Sequence, residues 1–161
     1  MARGVVIPAD EGQPIYTEEF QDYLDYQRNV GGVFQVLDLD TIKASLFINE
    51  EGKLLKLPGN RRATYLWWAS ISAYVIGDDV LSGDVVLIGL PDDDGDTQSL
   101  SDELVYLFTK TDQFKVEFGR AKDDATRISA ETLPNVTEAY EYACIIRQRF
   151  PDVTYTKVVP A

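Results

Sequence analysis

The run GDVVLIGLP, Gly83–Pro91, places four aliphatic residues in a row, Val85 to Ile88, between a Gly-Asp pair and Gly89, with Pro91 closing it. A half-exposed strand would alternate apolar with polar residues. This run does not, so it reads as a strand buried on both faces and ended by glycine and proline. Upstream, RGVVIPAD is a second short apolar strand closed by Pro8, and QPIY a possible third. Thr17 offers an N-cap for a helix over EEFQDYLDYQRNV, with Phe20, Tyr23, Leu24 and Val30 at helical spacing and Gly31 as the stop. GVFQVLDLD and KASLFIN read as strands, with Glu51 and Gly52 as turn residues before KLLKL. In ATYLWWASISAYV, Leu66, Trp67, Ser70, Ile71 and Tyr74 share one helical face, whereas its β-branched and aromatic content argues for a strand.

Downstream, DDDGD is a polar loop, and Ser99 or Ser101 can cap a short helix over DELVYLFTK. The last part reads strand, strand, helix, strand: QFKVEFGR, ATRISAE, NVTEAYEYACIIRQRF and VTYTKVVP. Its helix has Asn135 and Glu138 in a capping-box pattern, Arg147 and Arg149 near the negative end, and Ala139, Tyr142, Ala143, Ile146 and Phe150 as the inward stripe. Strands and helices interleave throughout, so the expected class is α+β: a small mixed or antiparallel sheet with two to four packed helices and a C-terminal β-β-α-β unit. The expected division is 1–97, followed by an α+β extension over 98–161 packed on the first part.

The 161 residues are 45% apolar and 26% charged, the composition of a globular protein. The longest weakly polar run, YLWWASISAYVI, is far short of the about 20 residues a bilayer span needs, and MARGVVIPADEG is too short in apolar residues for a secretory segment. A cytoplasmic address with no membrane partner is therefore expected. The single cysteine, Cys144, allows no intramolecular disulfide or multi-cysteine zinc site, and it falls on the buried side of a helix. Histidine is absent, which removes Ser-His and Cys-His catalysis and the commonest ligand of zinc, copper and haem. Any chemistry would rest on carboxylates, lysine, tyrosine or an oxygen-liganded metal.

The net charge of −12 is uneven: residues 1 to 100 carry 17 acids against 7 bases, residues 101 to 161 carry 10 against 8. Such a field repels phosphates, so direct nucleic-acid binding is not expected, whereas a basic protein surface is attracted.

Three ordered segments, LDYQRNVGGVFQVLDL, NEEGKLLKLPGNRRAT and GDVVLIGLPDDDGD, resemble a family of small phage and actinobacterial proteins catalogued only as a domain of unknown function. The matching positions are Gly31, Gly32, Asn49, Gly52, Lys53, Leu54, Pro58, Asn60, Ala63, Thr64, Gly83, Asp84 and Gly89, within roughly residues 3 to 97. The resemblance implies a phage-type accessory protein working in a bacterial cytoplasm, and it brings no reaction with it.

Three constellations are candidates for function. Between Gly52 and Gly77 there is no acid, and Lys53, Lys56, Asn60, Arg61, Arg62, Trp67 and Trp68 could hold a nucleotide-like anion, with cations on phosphate and indole on a base; the bland alternative is a core tryptophan beside charge-balancing bases. Glu18, Glu19, Asp22 and Asp25, in a stretch without one base, could dock a cationic partner, with Glu18, Asp22 and Asp25 on one helical face; the bland alternative is a solvated face. Asp92, Asp94, Asp96 and Glu103 fall at positions 1, 3, 5 and 12 of a calcium-loop count, but Gly95 stands at position 4 instead of 6 and a strand precedes. A loop tip is the reading there, with no metal and no cofactor. The resulting expectation is a non-enzymatic protein that binds a host protein, such as a defence or nucleic-acid-processing factor. A small-anion binding module, and then a carboxylate- or metal-dependent enzyme, are the alternatives.

Overall fold

A strand with two apolar faces needs a neighbour on each edge and a cover on each side. The computed structural model, which describes residues 1–71, 77, 79–120 and 126–161, shows how the chain supplies them. Its contacts divide into two compact units, Met1–Thr64 with Val80–Lys110, and Tyr65–Asp79 with Thr111–Ala161.

The first unit holds strands Ala2–Ile7 (β1) and Tyr16–Phe20 (β2), helix Tyr23–Val30 (α1), and strands Phe34–Leu39 (β3) and Ala44–Asn49 (β4). Helix Arg61–Ala69 (α2) begins in this unit, and strand Val85–Gly89 (β5) and helix Asp102–Thr109 (α3) complete it. The five strands form one antiparallel sheet in the order β2-β1-β5-β4-β3, so the run quoted first is the middle strand. Register sorts its side chains into two layers, because neighbours across a ladder point the same way. Val5, Leu87 and Leu46 align on one face, Val6, Val86 and Phe47 on the other, and all six are buried. On the second face Tyr26 and Val30 of α1 join Ala2, Phe20, Phe47, Val86 and Ile88 in one core, with Phe34 packed against it.

Two sequence expectations change here. The helix starts at Tyr23, not after Thr17, because Tyr16–Phe20 is taken as the partner of β1, in register from Ala2↔Phe20 to Val6↔Tyr16. Asp22 is the cap, and the later start turns the helix so that Tyr26 and Val30 face inward while Tyr23 and Leu24 are exposed. The segment KLLKL is a series of turns, with Leu54 and Leu55 exposed.

The second unit contains strands Phe114–Gly119 (β6) and Arg127–Ile128 (β7), helix Val136–Arg149 (α4) and strand Tyr155–Pro160 (β8), the expected β-β-α-β order. Its antiparallel sheet runs β7-β6-β8, and α4 lies against β6 and β8. Asn135 caps α4 by accepting from Glu138 N at 2.9 Å. The inward stripe is Ala139, Tyr140, Ala143, Cys144 and Ile146; Tyr142 is half-buried and Phe150 lies half-exposed past the helix end. Arg147 donates to the carbonyls of Trp68 and Ala69 at 3.1 and 2.9 Å, satisfying acceptors that the end of α2 leaves open. The Cys144 thiol is buried, its pKa pushed up to about 12 chiefly by that burial. The described part of the predicted helix over residues 63–75 ends at Ala69, and Tyr74 lies outside the described residues. The structure is α+β, with four helices among the described residues.

Asn60 joins these parts of the first unit. It is 1% exposed, its amide donates to Ile7 O and Gly83 O, both at 2.9 Å, and its oxygen accepts from Ala63 N at 3.0 Å, capping α2. Asn60→Ala should destabilise the protein by about 3 kcal/mol, combining a lost cap with two orphaned carbonyls. Asn60→Asp should also lose stability, because it removes both donors. Denaturant unfolding of the two variants checks this, and a loss below about 1 kcal/mol for Asn60→Ala would contradict it.

Candidate functional site

Several of the residues expected to bind an anion, Arg62, Asn60, Arg61 and Trp68 among them, have polar groups engaged within the protein. Arg62 is 8% exposed, and its guanidinium donates to Pro8 O at 2.6 Å, Gln13 O at 2.9 Å and Asp10 O at 3.1 Å, holding the β1–β2 connection in place. Burial holds its pKa below the usual arginine value, opposed by Glu11, Asp10 and Asp84. Asn60 serves the strand ends as described. Arg61 sits on Glu11, Nε to Oε2 at 3.2 Å and Nη2 to Oε1 at 3.3 Å, a two-point pair at the surface. Lys53 and Lys56 are exposed on the turns after β4, Lys56 in the left-handed region at φ 55°. Trp67 and Trp68 belong to the second unit, half-buried; Trp68 donates its indole N–H to Asp79 O at 2.8 Å and meets Tyr65 edge-on at 5.7 Å.

The acids of the expected docking face divide between two elements. Glu18 and Glu19 are on β2, where Glu18 accepts from the Asn29 amide and Glu19 lies 3.8 Å from Arg3. Asp22 and Asp25 form a reciprocal capping box at the start of α1. Asp22 accepts from Leu24 N at 3.0 Å, and Asp25 accepts from Gln21 N at 2.7 Å and from Arg28 at 2.7 Å. The shared helical face of Glu18, Asp22 and Asp25 does not exist, because the first of them lies on a strand. In the acidic loop, Asp92 accepts from Asp94 N at 3.0 Å, Asp96 N at 2.9 Å and the Gln98 amide at 3.0 Å, folding the loop on itself. Glu103 is in the first turn of α3, and among the described residues no group of three or more potential ligands could hold a metal.

The structure assembles a different site. On the α1 face of the first unit is a groove of about 650 Å³ whose floor is a string of aromatic rings. Tyr26 stacks on Phe20 at 4.7 Å and on Phe47 at 4.2 Å, and Phe34 tilts against Phe47 at 5.0 Å. Burial first of all raises the pKa of the Tyr26 hydroxyl, and the Thr97 side chain opposes it. Exposed Tyr23 and Val36 flank the floor, and residues 95–99 make the opposite wall. The charged side chains lining the groove are Asp22 and Asp96; among the described residues no lysine or arginine lines it, and Met1 lies on it as well. Its members come from β1, β2, α1, β3, β4 and the segments between elements, at no common period. The weak sequence signal was aromatic: Phe20, Tyr26, Phe34 and Phe47 all precede the tryptophans that drew attention.

That wall is positioned by Gly89. Gly89 N donates to Gln98 O at 3.0 Å, and a Cβ there would sit 2.5 Å from Ser99 O and 2.7 Å from Gln98 O. Leu100 N then donates to Arg3 O at 2.8 Å, closing residues 98–100 against the sheet. The opposite side is held by Asn49, whose amide donates to Val30 O at 3.0 Å where α1 ends at Gly31, φ +83°.

The family model described as "Domain of unknown function (DUF3846)" matches residues 2–114. The chain belongs to this family. The matched DUF3846 region includes every residue of the groove except Met1, and it contains Asn49, Asn60, Gly83 and Gly89 with the contacts that shape it. Comparison with curated proteins and with solved structures finds no match. No described helix is long and apolar enough to cross a membrane.

Two outcomes test this description. Gly89→Ala should displace the 98–100 wall and cost about 2 kcal/mol, as overpacking against backbone does; an unchanged melting temperature, with unchanged amide shifts at Gln98 and Ser99, would contradict it. Asp25 has its pKa below the usual carboxylate value, first because of the Gln21 N–H bond and then because of Arg28. A depressed folded pKa adds stability that is complete above the unfolded carboxylate value near 4 and is lost as pH falls through the folded value. The stability gap between wild type and Asp25→Asn should therefore be full at neutral pH and shrink in acid, and a gap that stays constant with pH would refute the assignment.

Proposed function

We propose that this DUF3846 member acts by binding a protein partner through the aromatic groove of its first unit, and that as a phage-type accessory protein it inhibits or redirects a host factor involved in defence or nucleic-acid processing. The observation that carries the reading is the groove itself: stacked rings, an exposed tyrosine and valine at the rim, and two carboxylates with no lysine or arginine among the described lining residues. Phe20, Tyr26 and Phe47 are almost wholly buried beneath the groove, so the apolar contact comes from exposed Tyr23 and Val36 and half-buried Phe34, and acidic neighbours select cationic partners. The chain's −12 charge adds long-range steering toward such a surface. The host and phage part of the proposal is supported by the family resemblance alone.

The groove's volume also lies in the range of small-ligand sites, which favours a compact, neutral or cationic ring as the second reading. A nucleotide-like anion would meet Asp22 and Asp96 there, with no lysine or arginine among the described lining residues.

The deciding experiment compares capture from bacterial lysate by wild type and by a Tyr23→Ala/Asp96→Lys double variant, both checked for native melting. One stoichiometric partner held by wild type and reduced at least tenfold by the variant is the expected result. Equal capture by both proteins, or multiple-turnover chemistry stopped by a carboxylate substitution, would defeat the proposal.

A further inference from the structure

The groove runs beside a sheet edge that pairs with no further strand among the described residues. β3 is the last strand of the five, and β4 is its strand partner. Phe34 pairs with Asn49, Val36 with Phe47 and Asp38 with Ser45, and the bond from Glu50 N to Val33 O makes the Phe34↔Asn49 position a non-hydrogen-bonded one. Hydrogen-bonded and non-bonded positions alternate along an antiparallel ladder, so Phe34, Val36 and Asp38 aim their N–H and C=O groups away from β4. Phe34 and Val36 line the groove with their side chains. One row of residues therefore offers strand-pairing groups outward and groove-lining side chains to the same side.

The two edges of the sheet differ in their defences. Edge strands are ordinarily blunted by charge, proline or a covering element. β2, at the other edge, carries Glu18 and Glu19 in succession and has α3 against it. β3 has the sequence FQVLDL, with no proline or lysine, and Gln35, Val36 and Asp38 are exposed.

We propose that an extended cationic peptide segment of a partner adds to β3 as a sixth strand, its alternate side chains entering the groove over Phe34 and Val36 and toward Asp22 and Asp96. This rests on the reading of the groove as a binding surface and names what the groove takes. Main-chain bonds to Phe34, Val36 and Asp38 supply affinity, and the groove selects apolar and basic side chains at every second position. A second copy of this chain is disfavoured as occupant, because edge-to-edge pairing would set Asp22, Asp38 and Asp96 of one copy near those of another at −12 net charge each.

The probe is a nine-residue synthetic peptide with lysine and phenylalanine alternating at its odd positions and threonine at the even ones. It is titrated into the full chain by calorimetry, alongside two versions N-methylated on either the odd or the even residues. An added strand turns one set of amides to β3 and the other to solvent. The expected result is binding by the parent, at least a tenfold loss for one methylated version, and less than a threefold change for the other. Val36→Pro removes an outward N–H without touching the β4 ladder and should weaken parent binding at least tenfold, and by at least threefold more than Val36→Ala, which also trims the rim side chain but keeps that N–H. Should Val36→Pro fail to fold, the two methylated peptides decide the matter alone. Equal binding, or equal loss, for both methylated versions overturns the strand addition while leaving the groove reading to its own capture test. Absence of parent binding also overturns it, as does a wild-type dimer that Val36→Pro converts to monomer.

Discussion

Burial of Val85 to Ile88 on both faces is the constraint from which the first unit follows. A strand that shows no side chain to water cannot be an edge, so β1 and β4 must flank it, and each aligned residue then falls into one of two layers. The layer of Val6, Val86 and Phe47 needs a cover, and α1 provides it with Tyr26 and Val30. A slip of one residue in any of these ladders would carry Phe47 or Val6 to the opposite face and dismantle the aromatic stack.

Several side chains that look like ligand-binding chemistry are engaged in keeping this sheet closed. Strand ends and connections leave carbonyls with no ladder partner, and buried carbonyls without donors are costly. Arg62 answers three of them between Pro8 and Gln13, Asn60 answers Ile7 and Gly83, and Asn49 answers Val30. Asp25 and Asp92 do the reverse, accepting from exposed backbone N–H groups at a helix start and within a loop. Charge-bearing residues at turns are well suited to both tasks, which is why a basic or acidic cluster in sequence is weak evidence for a ligand. The groove arises instead where side chains of low chemical specificity, chiefly phenylalanine and tyrosine, are brought edge to edge by the sheet and by α1.

Much of the architecture was legible in local pattern. The aliphatic run at 85–88, the Pro8 stop, the Gly31 terminus of α1, the Ser101 cap of α3 and the Asn135 cap of α4 each rest on short-range physics that operates whatever surrounds them. The residues around 16–25 were misread because EEFQDYL satisfies a helical period while its first part is also free to pair, and the need of β1 for a partner outweighs a weak local preference. Tyr140 displaces Tyr142 from the inward stripe of α4 for a related reason: the two tyrosines, two positions apart and so on nearly opposite sides of the helix, are equally apolar, and the packing against β6 and β8 selects between them.

The amino-acid sequence by itself determined the α+β class, the family, the buried middle strand, the helix ends and the absence of histidine and disulfide chemistry, because these depend on composition or on residues a few positions apart. Only the tertiary structure decided that Asn60 and Arg62 are braces, that Glu18 lies on a strand, and that Phe20, Tyr26, Phe34 and Phe47 share one groove beside the β3 edge of the sheet. Those outcomes depend on contacts between segments tens of residues apart, and such contacts are set by register and burial across a sheet, quantities that no local period encodes.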